Sequence, residues 1–125
     1  MSVISGLAVR DGVLELTTTE GDRVRSVEEL ARYLSSHRTL TAADYRFLGA
    51  AAIAMTAAEH GSPLDRLGLL KFEDVHYMPL PPNAAGAAFS EGENEASSSL
   101  ANVDPRGPAF EAYVRQLNRA MQEDA

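Results

Sequence analysis

The chain has no cysteine and no tryptophan among its 125 residues, and Lys71 is its single lysine. Without cysteine there can be no disulfide framework, thiolate nucleophile or thiolate metal site. Acidic residues outnumber basic ones 18 to 11, giving a formal charge of −7. A polyanion is repelled by such a surface unless arginines gather on one face, which disfavours direct nucleic-acid binding. Long apolar runs are missing too. The most apolar stretch, 47–58, is bounded by Arg46 and Glu59 and falls short of the roughly 20 residues a membrane helix needs. No HExxH pair, GxSxG elbow or glycine-rich phosphate loop occurs, so the sequence motivates no metal, cofactor or catalytic residue. The opening MSVISGLAVRDG lacks the basic, apolar and small-residue order of an export signal, and a cytoplasmic location is expected.

What is present predicts an α+β fold. A small N-terminal antiparallel meander packs on a mainly helical domain of three main helices, and residues 1–125 form a single domain. The organising element is an alanine-rich helix over 42–60. Thr41 is its N-cap, Asp44 places a carboxylate in the first turn, and Gly61 followed by Pro63 ends it. Its apolar residues fall on every side of a 3.6-residue period, so it is surrounded by protein. Its Gly and Ala residues allow neighbours to approach the backbone closely.

Before it, Leu7 to Arg25 alternates like strands, with a hairpin turn at Asp11-Gly12 and a second turn at Glu20-Gly21-Asp22. The arginines flanking Val24 guard an edge strand. Ser26 and Glu29 form a capping box for a helix whose stripe is Val27, Leu30, Ala31 and Leu34, with Glu28 and Arg32 paired on the wet side. After the central helix, Ser62-Pro63 starts one or two helical turns to Lys71, and 72–78 reads as an extended segment. Two tightly joined helices here raise a helix-turn-helix, but Arg66 and Lys71 are opposed by Asp65 and Glu73, the wrong electrostatics for a major groove.

Residues 79–107 shift abruptly to Pro, Gly, Ser and Ala, with Glu91, Glu93, Glu95 and Asp104 against Arg106. This composition, without an evident apolar stripe, reads as a long acidic flexible loop or arm. A pure linker has no need of Leu80, Phe89 or Leu100, so these are read as partner-binding positions, with Phe89 as an anchor. An amphipathic helix over 108–122 follows, its stripe including Phe110 and Tyr113. That stripe either packs on the central helix or docks on a second copy in a swapped homodimer.

The expected function is that of a small acidic protein-binding module, such as an inhibitor, immunity, adaptor or assembly component, and not that of an enzyme. Its surface suits a basic protein partner. A metal-binding protein or small enzyme built on His60, His76 and the surrounding carboxylates is the alternative, and a homo-oligomeric structural protein the second.

Overall fold

The computed structural model describes residues 4–36, 40–63 and 84–124. Three antiparallel strands, β1 (Ile4–Arg10), β2 (Val13–Thr18) and β3 (Arg23–Val24), form one sheet in the order β1-β2-β3. Four described helices pack with it: α1 (Val27–Ser36), α2 (Ala42–His60), α3 (Ala84–Leu100) and α4 (Pro108–Asp124). The fold is α+β.

The local signals act as elementary chemistry dictates. Asp11 and Gly12 both take positive φ, 53° and 77°, the left-handed pair that a two-residue hairpin turn needs. The turn sets the register, so Arg10 faces Val13, Val9 faces Leu14 and Ala8 faces Glu15. Thr41 and Asp44 form a reciprocal capping box on α2, and Gly61 closes the helix at φ 65° with its N–H on the Ala57 carbonyl. Ser26 caps α1 by accepting from Glu29 N at 3.1 Å, while the Glu29 carboxylate reaches back to Arg25 N at 2.7 Å, one residue earlier than a standard box.

Helix α2 is buried on nearly every side, from Tyr45 through Ala57. The sheet lays Leu7, Leu14, Leu16 and Val24 into the core beside it, and α1 adds Val27, Leu30, Tyr33 and Leu34.

The loop expected over 79–107 is corrected by α3, which occupies Ala84–Leu100. Its buried positions are Gly86, Phe89, Gly92, Glu93, Ala96 and Leu100. Residues 86, 89, 93, 96 and 100 keep a three-four spacing, the seam of one helix against another. Three of the six buried positions are Gly or Ala and a fourth is a carboxylate, which leaves only Phe89 and Leu100 to carry a hydrophobic signal although the geometry is regular. Arg46 pairs with Glu95 at 2.5 Å, and Gly49 meets the backbone of Phe89, so α2 and α3 run antiparallel. Where they cross, a Cβ on Gly49 would lie 2.1 Å from the Phe89 carbonyl oxygen, and one on Gly92 would lie 2.0 Å from that of Arg46. Glycine at both positions allows this approach.

Helix α4 buries Phe110 and Val114 within the same chain and packs chiefly along β1, with lesser contact to α2. Asn118 completes that contact, accepting from Leu7 N at 2.7 Å and donating to the Leu7 carbonyl through its side-chain amide. A side chain thus occupies ladder groups of an edge strand that another chain could otherwise pair with. Replacing Asn118 by Ala leaves both Leu7 groups without this partner, and we expect a loss of about 1 to 2 kcal/mol in urea unfolding.

Two tyrosines report on the same packing. Burial raises the Tyr33 phenol to about 12, with help from the charges of Asp22, Glu20 and Asp44. Burial raises Tyr113 likewise to about 12, with Glu95 adding to it. The folded state therefore holds these protons above the ordinary tyrosine value of about 10, where the unfolded chain releases them. Stability falls as pH rises from about 10 toward 12. The urea midpoint should be lower at about pH 11 than at about pH 9, with the phenolate absorbance of these two residues developing on unfolding.

Candidate functional site

The sheet has one face on the core and one turned away from it. In β2 the alternation sends Leu14, Leu16 and Thr18 inward, and Val13, Glu15 and Thr17 outward. Thr17 faces Arg23 and Leu16 faces Val24 on β3, which brings Arg25 alongside Glu15 from the other flank. Glu15 therefore sits at the centre of an outward-facing group. Its Oε2 lies 2.8 Å from Arg25 Nε and its Oε1 lies 3.3 Å from Arg10 Nε.

The exposures of these three side chains differ sharply. Glu15 is 5% exposed, whereas Arg10 and Arg25 are 69% and 56% exposed. The carboxylate is covered by its own cationic partners, which sit outermost. Covered this way it stays ionised. The hydrogen bond from Arg25 and the charges of Arg25, Arg10 and Arg23 outweigh burial and hold its carboxyl below the ordinary range. Arg25 is fixed at both ends, since its backbone N–H is bound by Glu29. Arg23 lines the same concavity of about 350 Å³, together with Asp11 and Val13. Val13, 44% exposed, is the large hydrophobic left uncovered among the described residues.

Three guanidinium groups thus share a small face with two carboxylates, on a chain whose overall charge is −7. Arginine presents a planar fork of donors that suits carboxylates and phosphates. A buried counter-charge that fixes two such forks makes a preorganised anion-receiving surface.

The positions expected to bind a partner are mostly placed elsewhere. Phe89 and Leu100 on α3 and Phe110 on α4 are buried in the core, and Tyr113 is half-buried against it. Phe89, Leu100 and Phe110 are therefore core side chains in this structure, while Tyr113 keeps part of its surface accessible. Leu80, the helical turns to Lys71, the extended segment 72–78, His37 and His76 lie outside the described residues.

Of the titratable cluster, Glu59 turns to α1 and accepts from Val27 N at 3.0 Å, while His60 Nδ1 sits 2.8 Å from the Thr56 carbonyl at the end of α2. The two point to different structural tasks. Among the described residues, no three His, Asp or Glu side chains stand close enough to share a metal ion. No described helix is long and apolar enough to cross a membrane.

A second hollow, about 140 Å³, opens between α2, α3 and α4 over Phe47, Ala50, Leu117 and Met121, with the Arg46–Glu95 pair at its rim. Its lining is mainly apolar, and those two charged groups are engaged with each other. Among protein-family models, curated proteins and solved structures, none matches this chain.

Sequence reasoning assigns the arginines of β3 only to edge protection. The signal for the site is nevertheless present. A hairpin closed at Asp11-Gly12 places 10 opposite 13 and 8 opposite 15, so Arg10, Val13 and Glu15 share a face.

Proposed function

We propose that this chain is a protein-binding module that engages its partner with the outer face of the sheet. The observation that carries this reading is the Glu15 carboxylate sealed beneath Arg10 and Arg25, beside the exposed Val13. Arginines held in place lose less freedom on docking than free surface side chains, and fixed arginine beside exposed apolar surface is the composition of protein contact sites. The concavity is lined mainly by charged side chains of the sheet and its first turn, unlike the mostly apolar lining of a small-molecule pocket. A long polyanion would extend past these few arginines onto the acidic remainder of the chain, a repulsion that a short segment confined to this face does not meet.

The reading is tested with a photoreactive phenylalanine analogue incorporated at position 13, and at the exposed position 111 on α4 as control, in the cells that make the protein. The expected result is a discrete heteromeric adduct from position 13 alone, competed by untagged protein and lost in Arg25→Glu. Equal labelling from both positions, no adduct from position 13, or an adduct made only of two copies of this chain overturns it.

A further inference from the structure

We propose that the docking segment is an acidic peptide strand, its carboxylates received by Arg10, Arg23 and Arg25 and an apolar side chain resting on Val13. The inference rests on the reading of the sheet face as a protein-binding surface and names the partner's chemistry there.

Three observations converge on it. Glu15 meets Arg10 and Arg25 through Nε, the inner end of each guanidinium, and both side chains remain more than half exposed. Their outer N–H groups are therefore available to a second acceptor, and a carboxylate fits that fork in two parallel hydrogen bonds. Arg23 supplies a third fork on the same concavity, on the β3 side of Arg25. Val13 stands across from Arg10 at the hairpin end, so the cationic group is bordered by an apolar contact. Acidic side chains along one face of an extended segment, followed by an apolar one, complement that order.

Glu15 has a specific part in this arrangement. As a plain charge it opposes an incoming anion, yet as the hydrogen-bonded neighbour of Arg25 and the ion-pair partner of Arg10 it sets where their forks point. It is a positioning residue. The two effects have opposite signs, and removing the charge separates them.

The experiment is fluorescence anisotropy of the intact chain with a labelled short peptide of alternating Glu and Val, its Gln-for-Glu counterpart, and inorganic phosphate and a short single-stranded oligonucleotide as competitors. The acidic peptide should bind and its Gln counterpart should be at least about tenfold weaker. Arg23→Gln and Arg25→Gln should each cost about fivefold. Glu15→Gln should weaken binding although it makes the face more positive, and Glu15→Ala should do the same. Equal binding of the two peptides, tighter binding by Glu15→Gln, or competition by phosphate or oligonucleotide as effective as that of unlabelled peptide overturns the proposal. Arg23 is exposed and outside the Glu15 ion pairs, so Arg23→Gln decides the matter even where a Glu15 variant fails to fold. A persistent cross-link at position 13 with no affinity for the acidic peptide rejects the acidic segment and keeps the face. Loss of the cross-link rejects the face itself.

Discussion

Gly49→Ala and Gly92→Ala should each lower the stability of the fold by about 3 kcal/mol, a large effect for the addition of a single methyl group. The reason lies in what the added carbon meets. A Cβ at 49 would stand 2.1 Å from the Phe89 carbonyl oxygen and 3.1 Å from Glu93 N, and one at 92 would stand 2.0 Å from the Arg46 carbonyl oxygen. These are backbone atoms held in helical ladders, with no rotamer to turn away. The helices must separate instead, and α2 and α3 are the two elements whose backbones pack most closely on each other in the described fold. In the native state the Cα–H that replaces each side chain points at the opposing carbonyl, a weak contact that separation also forfeits. Helix propensity alone would predict the opposite sign, since alanine is favoured over glycine by about 1 kcal/mol in a helix interior. Urea unfolding followed by circular dichroism decides between them. The double variant should cost clearly less than the two single variants together, because one separation relieves both clashes.

The same two glycines explain how far the sequence can be read. Caps and turns depend on a few residues at fixed offsets, so Thr41, Asp44 and Gly61 bound α2, and Asp11-Gly12 locates the hairpin. The closeness of packing around α2 also follows from its Gly and Ala content. Helix α3 escapes such a reading because its sequence signal and its packing use different properties. Periodic hydrophobicity detects large apolar side chains, whereas this seam is built from Gly86, Phe89, Gly92, Glu93, Ala96 and Leu100, of which only Phe89 and Leu100 are large and apolar. Small residues bury little area each, and they act by bringing two backbones together. A composition rich in Gly and Ser then resembles a linker.

The sheet face is hidden for another reason. Arg10, Glu15, Arg23 and Arg25 are ordinary polar residues in alternating strands, and only the register brings them together. The hairpin turn fixes half of that register, β1 against β2. The other half depends on a two-residue strand whose pairing is set by the closure of residues 18–22, where Thr18 and Asp22 bond each other's backbone and side chains. Overall charge gives no help, because a locally cationic face is outvoted in the sum.

Phe89→Ala should destabilise the fold by about 3 to 5 kcal/mol, the range for truncating a fully buried phenylalanine. Phe89 is wholly inaccessible to solvent. An aromatic anchor on a mobile arm would behave in the opposite way, its removal abolishing partner binding while leaving the urea midpoint unchanged. Phe89→Leu, which keeps most of the apolar volume, should cost less, about 1 to 2 kcal/mol. The residue also ties the two predictions together. Its side chain fills the core while its carbonyl oxygen is the atom Gly49 approaches, so one residue of α3 is held by both its ring and its backbone. Truncating the ring loosens α3 at the point where a methyl group added at position 49 would press on it. In a double-mutant cycle, Gly49→Ala with Phe89→Ala should therefore be less costly than the two added together, by about 1 kcal/mol. Strict additivity would mean that the ring and the backbone contact restrain α3 independently, and that the crossing is fixed by the glycine pair alone.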